Sequence, residues 1–240
     1  MIFAVIVNII LFIIYFVLSL IIPKRYNYIF RHYIVRIMMY MVGFNTITTN
    51  NLDRAYKLFH SDDRVLVVLN HKSLYDPFVS LVSIGCVCSL FDEKGMKGFP
   101  GLQTAIMNFS NCIIIDKGNT VNMIRQYVDN RKSGDELLCV FADGMKKVPH
   151  GSVIAPFKTG AFVPRCKILP VVIKYKNYTI DPTYRWEDGD NIVWAQFRMF
   201  LDTSCDIVVD IMEPVEPDNM TIEEHRDKVH ELMEKRYKEL

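Results

Sequence analysis

Apolar and polar positions divide this chain into two membrane-like stretches followed by alternating short and longer hydrophobic runs. Residues 1–22 carry no charged side chain. As a helix rising 1.5 Å per residue they would extend roughly 33 Å, about the thickness of a bilayer's hydrocarbon core. The stretch begins Met1-Ile2-Phe3 and ends at Pro23-Lys24-Arg25, without a basic start or a small-residue cleavage site. The pattern therefore predicts a retained anchor rather than a cleaved leader, and fits a single buried core helix less well. Residues 26–42 are again apolar and contain Tyr26, Tyr28, Tyr33 and Tyr40, which predicts an interfacial or second membrane-embedded helix.

Beyond residue 43 the periods change. Residues 64–69 (Arg64-Val-Leu-Val-Val-Leu69) are β-branched and apolar on both faces, as a buried strand requires. Asp76-Pro77 reads as an N-cap and a proline in the first turn, opening a buried helix over 78–90. Helices are predicted near 102–109, 121–131 and 156–163, and strands at 112–115, 137–141, 168–175, 192–200 and 206–211, with a polar, turn-rich stretch at 177–190. Thr221-Ile222-Glu223-Glu224 is a capping box opening an amphipathic helix with Val229, Leu232, Met233 and Tyr237 on its apolar side. The fold class is α/β: a mixed, largely parallel sheet flanked by helices, with an N-terminal membrane-embedded helical segment. Residues 1–43 form the anchor and interfacial helix, and residues 44–240 the folded domain.

Composition narrows the partners. The chain is half hydrophobic with a formal net charge of +1, so there is no overall charge argument for nucleic acid. Lys24, Arg25, Arg31 and Arg36 follow the first apolar run and favour a cytosol-facing domain on a membrane with anionic headgroups, endoplasmic-reticulum-like in a eukaryotic cell. Six scattered cysteines lack the paired spacing of a zinc site and are expected to be reduced packing residues; no metal is predicted. His150, His225 and His230 belong to no ligand constellation, the last two falling on the final helix.

The candidate chemistry begins with Asn70-His71-Lys72-Ser73-Leu74-Tyr75-Asp76-Pro77, at the mouth of the first buried strand. A neutral imidazole accepts a proton from a hydroxyl, and a carboxylate on its other nitrogen fixes the tautomer and stabilises the imidazolium. A histidine that ties down a loop beside an aspartate that caps a helix is the plainer alternative for this spacing alone. Three further segments place charge or glycine at strand exits: Lys94 to Pro100, Ile113 to Lys117, and Phe141-Ala142-Asp143-Gly144-Met145-Lys146. Ligands of open α/β sheets bind at the carboxyl ends of strands, so these segments can converge on His71.

In order and spacing these blocks resemble those of the lysophospholipid and glycerophosphate acyltransferases, the group that includes 1-acylglycerol-3-phosphate acyltransferases. His71 and Asp76 match the family's histidine, four residues, aspartate motif. Lys94, Met96 and Pro100 match a lysine, leucine-like, proline block, and the segments ending at Lys117 and Lys146 match blocks that normally end in arginine. Pro156-Phe157-Lys158 with Gly160, and Leu169-Pro170-Val171-Val172, match later elements. The resemblance covers roughly residues 64–175. This chain departs at Lys117 and Lys146 (arginine in the family), Ala142 (proline), Asp143 (glutamate) and Met145 (threonine). Charge sign is kept, but lysine lacks arginine's bidentate fork, so headgroup recognition is where the chain departs most from its group.

The resemblance implies transfer of a fatty acyl group from acyl-CoA, a substrate rather than a cofactor, to the sn-2 hydroxyl of 1-acylglycerol-3-phosphate, with His71 as base and Asp76 as its orienter. It implies that Lys94, Lys117, Asp143, Gly144 and Lys146 meet the phosphate-bearing headgroup, with oxyanion donors sought among backbone N–H groups of the His71 turn or around Gly144. Lys158 stands between the acyl-donor side and an ordinary surface charge. Another lysophospholipid or glycerol-3-phosphate is the alternative acceptor. A non-catalytic membrane lipid-binding protein, or a hydrolase using His71 on water, is the alternative from another class.

Overall fold

A five-residue strand with every side chain buried organises the molecule. In the computed structural model, which describes residues 24–41, 43–73, 75–92, 112–115, 118–144, 152–179, 182–183 and 204–240 and positions 7, 10, 13, 14 and 17, the elements follow as α1 (Lys24–Met41), β1 (Phe44–Asn50), α2 (Leu52–Phe59), β2 (Val65–Leu69), α3 (Asp76–Ile84), β3 (Val87–Asp92), β4 (Cys112–Ile115), α4 (Thr120–Asn130), β5 (Leu137–Phe141), a 3₁₀ turn (Thr159–Ala161), β6 (Lys167–Lys176), β7 (Cys205–Ile211) and α5 (Ile222–Glu239). β2 lies inside a seven-stranded sheet of order β1-β7-β6-β2-β5-β3-β4. Among the described strands only the β6–β7 pair is antiparallel. The sheet is thus mixed and largely parallel, as the hydrophobic pattern predicts.

The period of two along β2 divides the core. Val65, Val67 and Leu69 face one layer with Ile34, Val35 and Met39 of α1 and Val79 and Val82 of α3. Leu66 and Val68 face the other, with Ile124 and Val128 of α4, Phe157 and Phe162, and Val229 and Met233 of α5. A strand covered on both faces has no polar side to show, which is why its sequence reads as an unbroken apolar run.

Several expected boundaries move. The helix expected over 78–90 ends at Ile84, because Gly85 adopts φ 78 and the next apolar residues leave to pair with β5, Val87 opposite Leu137 and Cys88 opposite Leu138. Tyr75, not Asp76, occupies the N-cap of α3. The helix expected at 156–163 is only the 3₁₀ turn, while the strands at 112–115 and 137–141 fall where predicted. The final helix opens with the expected capping box: Thr221 Oγ1 accepts from Glu224 N at 3.2 Å, and Glu224 Oε2 accepts from Thr221 N at 2.7 Å. Val229 and Met233 are buried, whereas Leu232 is exposed. Cys86, Cys88, Cys139, Cys166 and Cys205 are buried and joined in no disulfide, and burial pushes the thiols of Cys86 and Cys166 up to about 12.

Among the described residues no helix is long and apolar enough to cross a membrane, and the expected anchor over 1–22 falls almost wholly outside them. α1 is amphipathic. It buries Ile34, Val35 and Met39 in the domain core while Tyr33, Ile37 and Tyr40 stay exposed. The helix expected at 102–109 and the strand at 192–200 lie outside the described residues.

Candidate active site

The parallel neighbours β2 and β5 end together at Leu69 and Phe141, and the site is built there, alongside β6, which runs on to Lys176. Asn70, fully buried, follows β2. Its Nδ2 donates to the Ile173 carbonyl at 3.0 Å and its Oδ1 accepts from Ile173 N at 2.8 Å. This side-chain amide takes the place of a backbone rung, so the chain leaves the sheet at His71 without stranding the polar groups of β6.

The turn that follows is held by two carboxylates. Asp143, just beyond β5 and 2% exposed, accepts the His71 N–H at 2.9 Å. Asp76 is fully buried, and its Oδ2 accepts from Lys72 N at 2.6 Å and Ser73 N at 2.7 Å and lies 2.9 Å from His71 Nδ1. Its Oδ1 accepts from the Tyr175 hydroxyl at 2.5 Å. Burial, reinforced by the Asp76 charge, pushes the Tyr175 phenol far above its ordinary value, which keeps it a donor. Asp76 therefore does not receive hydrogen bonds from the amides of α3, as an N-cap would; its carboxylate reaches back to the preceding turn.

With Nδ1 donating to Asp76, Nε2 of the neutral ring is the acceptor. The His71 side chain is 15% exposed and its ring rests on Phe141, centroids 4.4 Å apart at 31°. Among the described residues no serine or cysteine hydrogen bonds to it, so the arrangement can take a proton from a hydroxyl brought by a substrate.

Among the described residues the expected oxyanion donors closest to the ring are otherwise employed, while Leu74 and Met145 lie outside the described residues. The amides of His71, Lys72 and Ser73 serve the two carboxylates, and Gly144 N donates to Phe141 O at 3.1 Å. The amides of His71, Lys72 and Ser73 are thus spent on the turn's own anions. Of the remaining residues singled out by sequence, Asp143 and Gly144 are brought to the His71 turn, while Lys94, Lys117 and Lys146 lie outside the described residues. Sequence reasoning assigned no role to Asn70 or Tyr175. A polar residue directly after five buried apolar ones, and a tyrosine on the buried face of an alternating strand, were the available signals.

Comparison with known proteins gives a consistent picture. The family model described as Acyltransferase matches residues 46–174, more than half of the chain. The lysophosphatidylcholine acyltransferase of Drosophila melanogaster is 28% identical over 180 residues, 71% of this chain and 32% of that protein. The lysophospholipid acyltransferase LPCAT4 of Xenopus tropicalis is 24% identical over 173 residues, 69% of this chain and 31% of that one. The chain thus spans about a third of the length of the curated relatives it matches. In fold it is similar to the crystal structure of the 1-acyl-sn-glycerophosphate (LPA) acyltransferase PlsC from Thermotoga maritima, with a TM-score of 0.62 and 18% identity, covering 98% of this chain and 97% of that one.

Proposed function

We propose that this chain, which belongs to the Acyltransferase family, transfers a fatty acyl group from an acyl-CoA thioester to a free hydroxyl of a lysophospholipid. The observation that carries the reading is the His71 Nδ1 to Asp76 Oδ2 contact of 2.9 Å, with the carboxylate buried and its second oxygen held by Tyr175. The acceptor hydroxyl gives its proton to His71 Nε2 as its oxygen attacks the thioester carbonyl. The carbon–sulfur bond then breaks, and the imidazolium returns the proton to the departing thiolate, leaving an ester and free CoA. Asp76 offsets the positive charge on the ring at the intermediate stage. General-base assistance of this kind contributes about 10²- to 10⁴-fold.

The acceptor we favour is 1-acylglycerol-3-phosphate, acylated at sn-2 to give phosphatidic acid, with Lys94, Lys117 and Lys146 as the phosphate contacts. Lysophosphatidylcholine is the second reading, favoured by what the Drosophila relative is named for. A membrane surface is the expected workplace. The outward face of α1 carries Tyr33, Ile37 and Tyr40 in helical spacing, and positions 10, 13, 14 and 17 repeat that spacing with exposed isoleucine and valine.

The test is acyl transfer by the detergent-purified chain from labelled acyl-CoA to a panel of lysophospholipids, beside His71→Ala. Transfer by the native chain, lowered at least about 100-fold in the variant, is expected. No transfer to any acceptor would favour a lipid-binding role, and full activity in the variant would remove His71 as the base.

A further inference from the structure

The edge that carries His71 also carries lysines, and they differ in how they are occupied. Lys174 Nζ donates to the Tyr237 carbonyl at 2.8 Å, Lys176 Nζ donates to the Leu240 carbonyl, and Lys72 Nζ lies 4.4 Å from the centroid of the Tyr237 ring. These cations are engaged by the last turn of α5, where the helix dipole favours positive charge. Lys158 is placed otherwise. Its backbone N–H donates to Ala142 O at 2.8 Å, which fastens it beside the loop leaving β5. Its side chain is exposed, and its ammonium makes no ion pair or hydrogen bond among the described residues.

Gly144 decides where that ammonium lies. It adopts φ +60, and a Cβ built on it would stand 2.7 Å from Lys158 Nζ and 3.3 Å from Cε. The missing side chain leaves a seat over the backbone into which the lysine extends. The adjoining Asp143 holds the His71 amide, so a single loop, 142–144, braces the proposed base and seats a cation that has no counter-ion among the described residues.

Resting on the acyl-transfer reading, we infer that Lys158, seated over Gly144, binds a phosphate group of one of the two substrates, the acceptor's headgroup or the CoA of the donor. Both carry phosphate, and the amides of His71, Lys72 and Ser73 are occupied by the turn's own carboxylates. A lysine acts on phosphate as a point charge with three donors, so arginine at this position keeps most of the interaction and alanine loses it.

The experiment measures equilibrium binding of glycerol 3-phosphate and of coenzyme A to the native chain, Lys158→Ala and Lys158→Arg, alongside KM for each substrate. Lys158→Ala is expected to weaken one probe by roughly tenfold or more, as for loss of a charge-assisted hydrogen bond, with the matching KM rising and Lys158→Arg staying close to native. Loss confined to glycerol 3-phosphate assigns the contact to the acceptor, and loss confined to coenzyme A assigns it to the donor. Unchanged binding of both probes, equal losses in both variants, or no binding to the native chain overturns the inference. Native binding that depends on Lys158 in a chain that transfers no acyl group overturns the acyl-transfer reading and leaves the phosphate site standing.

Discussion

Four donors converge on the Asp76 carboxylate: the Tyr175 hydroxyl, His71 Nδ1 and the amides of Lys72 and Ser73. The carboxylate is therefore a structural hub as well as the orienter of the ring, and its two oxygens can be tested apart. Tyr175→Phe removes the Oδ1 bond, together with the hydroxyl's contact with Ser73, and keeps the apolar ring. Its cost is that of one buried hydrogen bond to a charged group, about 1.5 to 3 kcal/mol. We expect the variant to retain its near-native circular dichroism while kcat falls by about tenfold, with KM for the lysolipid moving little. The same residue shows where sequence stops informing. The spacing of His71 and Asp76 is local, set by one strand-to-helix turn, and so could be read. Asn70–Ile173 and Asp76–Tyr175 join positions about a hundred residues apart, and nothing in a one-dimensional pattern says which buried polar groups will meet.

At the scale of elements, β2, β5 and β6 were legible because they are buried over most of their length, giving apolar runs bounded by turn residues, whereas β1, polar and largely exposed, carries no such run and was not predicted. The boundary between α3 and β3 was not. Residues 78–90 are apolar apart from Ser80, Ser83 and Ser89, carry no charge, and give as their one break signal Gly85, whose positive φ ends the helix. Helix and buried strand look alike when every side chain is inside. A second long-range device also escaped the pattern. Arg131, buried just past α4, donates through Nη1 and Nη2 to the carbonyls of Leu58, Phe59, Ser61 and Asp63. It thereby closes the C-terminal end of α2, where helical carbonyls have no partner of their own. Arg131→Met should leave these acceptors to compete for water at a half-closed joint and cost about 2 to 4 kcal/mol, read as a lower urea midpoint with unchanged slope. A larger slope would mean that the packing of α2 had come apart as well.

For the whole molecule, the core is two apolar layers sharing one sheet, and α5 covers the second. It is fastened there by His225, whose Nε2 donates to the Val215 carbonyl at 3.3 Å and whose ring meets Phe162 edge-on at 5.6 Å. Burial holds His225 below its ordinary value near 6.5, opposed by the Val215 bond and Asp218 and aided by Lys228 and Arg165. The unfolded chain therefore takes up this proton first as pH falls, and stability must drop as pH passes below about 6.5. The thermal midpoint should be lower near pH 5.5 than near pH 7.5, and His225→Phe should flatten that part of the profile while leaving the remaining acid dependence in place.

The amide of Asn70 gives the molecule a particular vulnerability. A rung supplied by backbone survives almost any mutation, whereas this one depends on a single side-chain amide. Hydrolysis of that amide to a carboxylate, by substitution or by spontaneous deamidation, sets two acceptors face to face at the Ile173 carbonyl. The damage falls on a side chain bonded to the backbone of β6, yet it loosens the strand exit on which the proposed base stands. Chemical ageing of the protein would thus be read first in its rate of turnover, and only later in its solubility.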